Sequence, residues 1–260
     1  MARLAHAEID AGLYSESAAY ESDHFKVTQL WGRSVDSQTW GLAKMKCIPI
    51  SIRQVFNFAW PIFKQRFGLF TAVLLTIFSA WVTLEIVVIA GQRFGILLWV
   101  VMHLAFLIFL AGIELGFLQI CLVLCDGGEP TFADTFTRLA LGPKFLAGQI
   151  LYLLMVVIGL LLLVVPGVYL SARYALFGFC MAAGETDLMR SFQQSAALST
   201  GTKTYLLWLF AVLLVLNALG ASLLGIGLFI TLPLSVLMMT AVYRQLSTCL
   251  QADSITVPLG

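Results

Sequence analysis

Five side chains with charge or strong hydrogen-bonding capacity interrupt long apolar runs: Glu85, His103, Glu114, Arg173 and Asn217. An ionisable group at the centre of a bilayer costs at least ~2.5–3.5 kcal/mol on insertion scales, so each needs a partner, water or a route to the interface. Counting along the runs at about 1.5 Å per residue places Glu85 and Arg173 about 8 Å below the outer surface. His103 and Asn217 fall at similar depth, so Glu85, His103, Arg173 and Asn217 form a candidate polar layer in the outer half. Opposite charges at matched depth predict a Glu85–Arg173 ion pair, helped by His103 or Asn217. Such a pair at about 4 Å gains about 4 kcal/mol at an effective dielectric near 20, which offsets part of the insertion cost. Three uses are open to this layer: fixing helix packing, binding a lipid headgroup or small polar solute, or simple outward reach of Arg173 to the interface. Glu114 lies deeper, flanked by Gly112 and Gly116, a small-xxx-small pair that permits close helix approach.

Other chemistries lack their residues. The histidines are His6, His24 and His103, and no HExxH, GxSxG or phosphate-loop pattern occurs. The five cysteines include no CxxC pair. Cys121 and Cys125 lie one helical turn apart, where buried packing is expected for them and for Cys180. No catalytic residue, metal or cofactor is therefore expected. With 15 basic against 14 acidic residues the net charge is +1, which argues against nucleic acid as a partner.

The elements that must position these groups are membrane spans. Hydrophobic residues make up 60% of the chain and charged ones 11%, whereas soluble domains carry about a quarter charged residues. A span needs about 20 apolar residues. Six segments qualify: 68–90, 95–124, 145–165, 168–183, 204–222 and 226–246, the fourth being the shortest and containing Arg173. Orientation follows from loop bases. With the N-terminal segment inside, the outer loops hold Arg93 alone, and the other loop bases face the cytosol. All five cysteines then lie at or near the reducing side, which predicts free thiols. The fold class expected is all-α, a polytopic bundle of six spans between a polar, mostly disordered cytoplasmic tail (1–49) and a short cytoplasmic tail (248–260). The stretch 41–67 carries Lys44, Lys46, Arg53, Lys64 and Arg66 and no acid, which suits attraction to anionic lipid headgroups.

An internal repeat organises the spans. VFNFAWPIFKQRFG precedes the first, TFTRLALGPKFLAG the third and SFQQSAALSTGTKTY the fifth. Phe56 and Lys64 are spaced like Phe136 and Lys144, and Phe192 and Lys203 follow with a short insertion. The expectation is three units, each a short amphipathic cytoplasmic helix followed by a hairpin of two spans. The first helix would bury Val55, Phe56, Phe58, Ala59, Ile62 and Phe63, in the headgroup region or against the bundle.

PGVYLSARYALFGFC, starting at Pro166 and Gly167, followed by LMRSFQQSAALSTG, resembles the signature of the glycerophosphoryl diester phosphodiesterase membrane-domain family and its stand-alone six-span bacterial relatives. That pattern has Pro-Gly, an Arg a few residues on (Arg173), then S-x-x-x-S-x-x-L-T-x-G. Ser191, Ser195, Leu198 and Gly201 match, with Ser199 at the Thr position, while GETD at 184–187 departs from a more acidic turn. The resemblance covers about 50–246 and implies a six-span fold and placement in the bacterial inner membrane. In that family, phosphodiester hydrolysis belongs to a separate soluble domain, so the resemblance brings no catalytic residue to this chain. The expected function is a non-enzymatic scaffold or assembly partner in the cytoplasmic membrane, with another membrane protein as partner. The alternative is a transporter or lipid-handling protein that uses the polar layer.

Overall fold

The computed structural model describes residues 51–91, 95–222 and 227–255. The predicted tail 1–49, the basic residues before Ser51 and the turn holding Arg93 lie outside the described residues. Every regular element among the described residues is helical: α1 (Ile52–Gln65), α2 (Phe67–Gly91), α3 (Ile96–Cys125), α4 (Gly142–Leu162), α5 (Val164–Tyr174), α6 (Phe177–Ala182), α7 (Leu188–Leu198), α8 (Lys203–Ser222) and α9 (Leu228–Ile255). Two 3-10 turns, Phe132–Phe136 and Leu139–Leu141, lead into α4. Five helical stretches are long and apolar enough to cross a membrane: Phe67–Ile86, Ile96–Cys125, Phe132–Leu162, Lys203–Ser222 and Leu228–Leu250. This is the make-up of a multi-pass membrane protein.

Helix α1 starts where a capping box forces it to. The Ser51 hydroxyl accepts from the Gln54 amide, and the Ser51 amide donates to Gln54 Oε1, which satisfies two N–H groups that a helix start leaves unpaired. Val55, Ala59 and Phe63, spaced four apart, are buried, with Phe56, Phe58 and Ile62 half-buried beside them. Arg53, Asn57, Lys64 and Gln65 face outward. The helix packs against α9, so its apolar stripe is covered by the bundle. Its aromatic rings extend the contact, with Phe63 against Phe70 of α2 at 5.8 Å and Phe70 edge-on to Phe117 of α3 at 6.0 Å. Pro61 is accommodated inside the helix on its exposed side.

The core sits towards one end of the long helices. In α3 the buried residues run from Leu110 to Cys125, whereas Ile96, at its start, is 82% exposed. Leu161, at the far end of α4, is 81% exposed. Apolar surface on that scale is costly in water and costless in lipid. Along α2, the hydroxyls of Thr71, Thr76, Ser79 and Thr83 donate back to carbonyls one turn earlier, which satisfies them without a partner helix.

Four expectations need correction. The segment 168–183 is not one continuous helix: the chain is helical at Val164–Tyr174 and again at Phe177–Ala182, and the ladder is broken at Ala175–Leu176. The second repeat unit has no amphipathic α-helix. Its 3-10 turns lie across α3, where Gly112 and Gly116 leave room for them, so this small-residue pair seats a turn, not a neighbouring span. The segment from 248, expected as a separate tail, starts as the last turns of α9, which continues to Ile255 with no Gly or Pro after Pro233 to stop it before then. Finally, Cys121, Cys125 and Cys180 are free and buried, but Cys249 is disulfide-bonded. Free thiols therefore do not hold throughout.

Candidate functional site

Two buried serines meet the backbone where the helix ladder breaks. At an interruption the last carbonyls of one helix and the first amides of the next lose their partners. In an apolar interior each lost bond costs several kcal/mol unless another group replaces it. Helix α7 supplies the replacements. Ser195 Oγ accepts from the Leu176 amide at 3.1 Å and donates to the Arg173 carbonyl at 3.1 Å. Ser199 Oγ lies 3.1 Å from the same carbonyl and 3.1 Å from the Ala196 carbonyl, so its single proton is shared between them. Leu176, Ser195 and Ser199 are completely buried.

Local sequence holds α7 in place for this task. Asp187 caps its start by accepting from the Met189 amide at 3.0 Å, and the Ser191 hydroxyl bonds back to the Asp187 carbonyl at 2.9 Å. Phe192 stacks on Phe177 of α6 with centroids 4.8 Å apart and planes 8° apart, and meets Tyr174 edge-on at 5.5 Å. Gly201 has φ +81°, a left-handed conformation that favours glycine, in the turn that leads into α8. Gly167 lets α5 lie against α4, because a Cβ there would fall 2.6 Å from the Leu160 amide nitrogen. Pro166 sits in the first turn of α5, where its missing N–H is no loss. The residues that carry the family resemblance thus share a structural logic: Pro166 and Gly167 start α5, while Ser195 and Ser199 repair its end.

Next to the repair lies a group of cations and phenols. Lys203 Nζ donates to the Tyr169 hydroxyl at 2.6 Å and sits 4.3 Å from that ring's centroid. The Arg173 guanidinium lies beside the same hydroxyl and 5.6 Å from the Tyr174 ring centroid. Arg173 Nε is buried with no hydrogen-bond partner. Lys203 was legible only as the last base before the fifth span. Nothing in the sequence brings it to Tyr169, because the meeting depends on the fold-back of α7.

The predicted polar layer is dispersed. Among the described residues no hydrogen bond or ion pair joins any two of Glu85, His103, Arg173 and Asn217. Glu85 is exposed on α2. His103 stacks on Trp99 of its own helix with centroids 5.3 Å apart. Asn217 Nδ2 donates to Ser235 Oγ of α9 at 2.9 Å and to the Leu213 carbonyl at 2.9 Å. The Arg173 carbonyl meets Ser195 and Ser199, which the expected topology puts in a cytoplasmic segment. Depth counting assumes a straight span, and the break at Ala175–Leu176 removes that assumption. Glu114 finds Gln149 Nε2 of α4 at 2.6 Å, and Gln119 accepts from Arg138 Nε at 2.7 Å and from Thr137 Oγ1 at 3.2 Å.

These contacts predict how paired substitutions combine. Asn217→Ala with Ser235→Ala is expected to show a coupling energy of about 0.6–1.7 kcal/mol in a double-mutant cycle, the range found for hydrogen bonds between membrane helices. Glu85→Leu with Arg173→Leu is expected to be additive. Unfolding of the purified variants in one detergent measures both cycles, and strong coupling of the second pair would restore the ion pair that the structure lacks.

The chain matches no family model, no curated protein and no solved structure. The resemblance to the phosphodiesterase membrane-domain family therefore rests on the motifs quoted above, and the functional reading rests on this chain's own geometry.

Proposed function

We infer that the chain is a multi-pass protein of the cytoplasmic membrane that crosses it six times as three hairpins. Its N- and C-terminal segments both lie in the cytosol, and it acts without catalysis as a scaffold or assembly partner for another membrane protein. One observation carries this reading: several of the polar side chains among the apolar helices are spent on neighbouring elements. Gln149 takes Glu114, Ser235 takes Asn217, Arg138 takes Gln119, and the serines of α7 take the broken backbone. Groups committed in this way fix helix positions and leave little to line a solute path.

The sixth crossing is supported by the course of α5 and α6 along α4. Gly167 meets Gly159, the Tyr152 hydroxyl reaches the Ser171 carbonyl at 3.2 Å, and Phe177 packs on Phe145 at 5.8 Å. Successive contacts therefore run antiparallel along α4, so the two short helices retrace it as one crossing in two pieces. Irregular backbone of this kind is tolerated at membrane depth when protein buries it. A transporter or lipid-handling protein is the second reading, favoured by the unpartnered Arg173 Nε.

Two measurements test this. A C-terminal segment in the reducing cytosol requires the Cys249 disulfide to be open in the cell. Alkylation of intact cells with a membrane-permeant maleimide is therefore expected to modify Cys249, and a disulfide that persists in cells would overturn the orientation. For the role, purification in native lipid discs followed by mass spectrometry is expected to return a membrane protein at fixed stoichiometry. A reproducibly bound solute with no companion protein would overturn the scaffold.

A further inference from the structure

Arg173 and Lys203 place two positive charges around one tyrosine hydroxyl, and among the described residues no acid pairs with either. The described carboxylates that form contacts use them elsewhere: Glu114 with Gln149, Glu129 with Arg66, Asp134 with Thr131, Glu185 with Gln194 and Asp187 with Arg190. Glu85 bonds neither cation. Like charges held together repel one another, and an anion between them would relieve that repulsion. A guanidinium offers a planar fork of donors that matches phosphate oxygens, an ammonium adds a point charge, and a phenol adds an O–H donor. The buried Arg173 Nε is a donor still to be used.

The surroundings indicate how that anion is presented. Tyr169 is 40% exposed and Val165, four residues earlier on the same helix, is 77% exposed. Leu161, Leu162 and Leu163, just before α5, are more exposed than Tyr169. A phosphate that enters here arrives over apolar surface, which suits a group carried on acyl chains.

We propose that Arg173, Lys203 and Tyr169 form a binding site for a phosphate group, presented by an anionic phospholipid headgroup. The site shares no residue with the basic stretch 41–67, and it goes beyond the scaffold reading because a scaffold and a transporter could both carry it.

The test uses the full chain in detergent with phosphatidylglycerol added, and lipid retention is read by native mass spectrometry. The wild type is expected to retain the lipid. Arg173→Gln with Lys203→Gln is expected to lower retention at least tenfold, and Tyr169→Phe several-fold. Arg190→Gln, on the exposed side of α7, and Lys64→Gln, on α1, are expected to leave it unchanged. Should the double variant fail to fold, Lys203→Gln alone is expected to lower retention about fivefold. A folded Lys203→Gln or double variant that retains lipid like the wild type overturns the site, as does an equal loss in the Arg190→Gln control. Inorganic phosphate at millimolar concentration separates the sources. Lipid that stays bound supports the headgroup, whereas displacement by free phosphate overturns the headgroup and leaves a soluble phosphate as the ligand.

Discussion

Gly116→Ala is expected to destabilise the protein more than any other single-methyl change in the bundle. The added Cβ would lie 1.9 Å from the Thr135 carbonyl oxygen and 2.6 Å from its carbon. Those atoms are backbone, so no side chain can rotate away, and the 3-10 turn must leave α3. Overpacking of a core typically costs about 1–3 kcal/mol, and a clash with main chain belongs at the top of that range or beyond it. Gly68→Ala provides the control, because nothing lies within 4 Å of a Cβ there. On helix propensity alone, Ala for Gly in a helix gains about 1 kcal/mol. Thermal unfolding of both variants in the same detergent should give shifts of opposite sign. A small loss at Gly116 would mean that the turn is not seated where described.

Ser195→Ala is expected to have the next largest effect. It removes the acceptor of the Leu176 amide and one donor to the Arg173 carbonyl, in a place without exposure. A buried backbone donor left unsatisfied costs about 1–3 kcal/mol. Ser199→Ala should cost less, because Ser195 still serves the same carbonyl. The double variant should lose more than the sum, since only then are both groups of the break orphaned. Stability by thermal unfolding, with hydrogen exchange at the Leu176 amide, checks the mechanism. Ser195→Ala that leaves exchange at Leu176 unchanged would exclude the serine as its partner. Ser195→Thr retains the hydroxyl, so it is expected to preserve protection of that amide better than alanine.

The sequence disclosed those parts of the fold that repeat with a helical period or a run length. The buried face of α1 follows from Val55, Ala59 and Phe63, because four-residue spacing puts them on one side. The five long apolar stretches follow from composition alone. The break at Ala175–Leu176 did not, since 168–183 is mostly apolar with no Pro or Gly at the break, and what sustains the break is a pair of serines on a later helix. The serine spacing was visible, but its purpose was not, because it serves the backbone of another element. Gly112 and Gly116 announced a close approach without naming the visitor, and 3-10 turns carry no period that would identify them. The Glu85–Arg173 contact was misjudged for a related reason: pairing inferred from counted depth presumes straight spans, and Arg173 stands at the end of a short helix against a fold-back.

One feature of the bundle bears on how the protein is made. The apolar stripe of α1, near the start of the bundle, finds its cover on α9, the final helix. At translation rates of about 5–20 residues per second, roughly ten to forty seconds separate the emergence of α1 from that of α9. Throughout that interval Val55, Ala59 and Phe63 must shelter in the lipid surface or with an insertion factor, and only the arrival of the last crossing at the ribosome exit releases them into place.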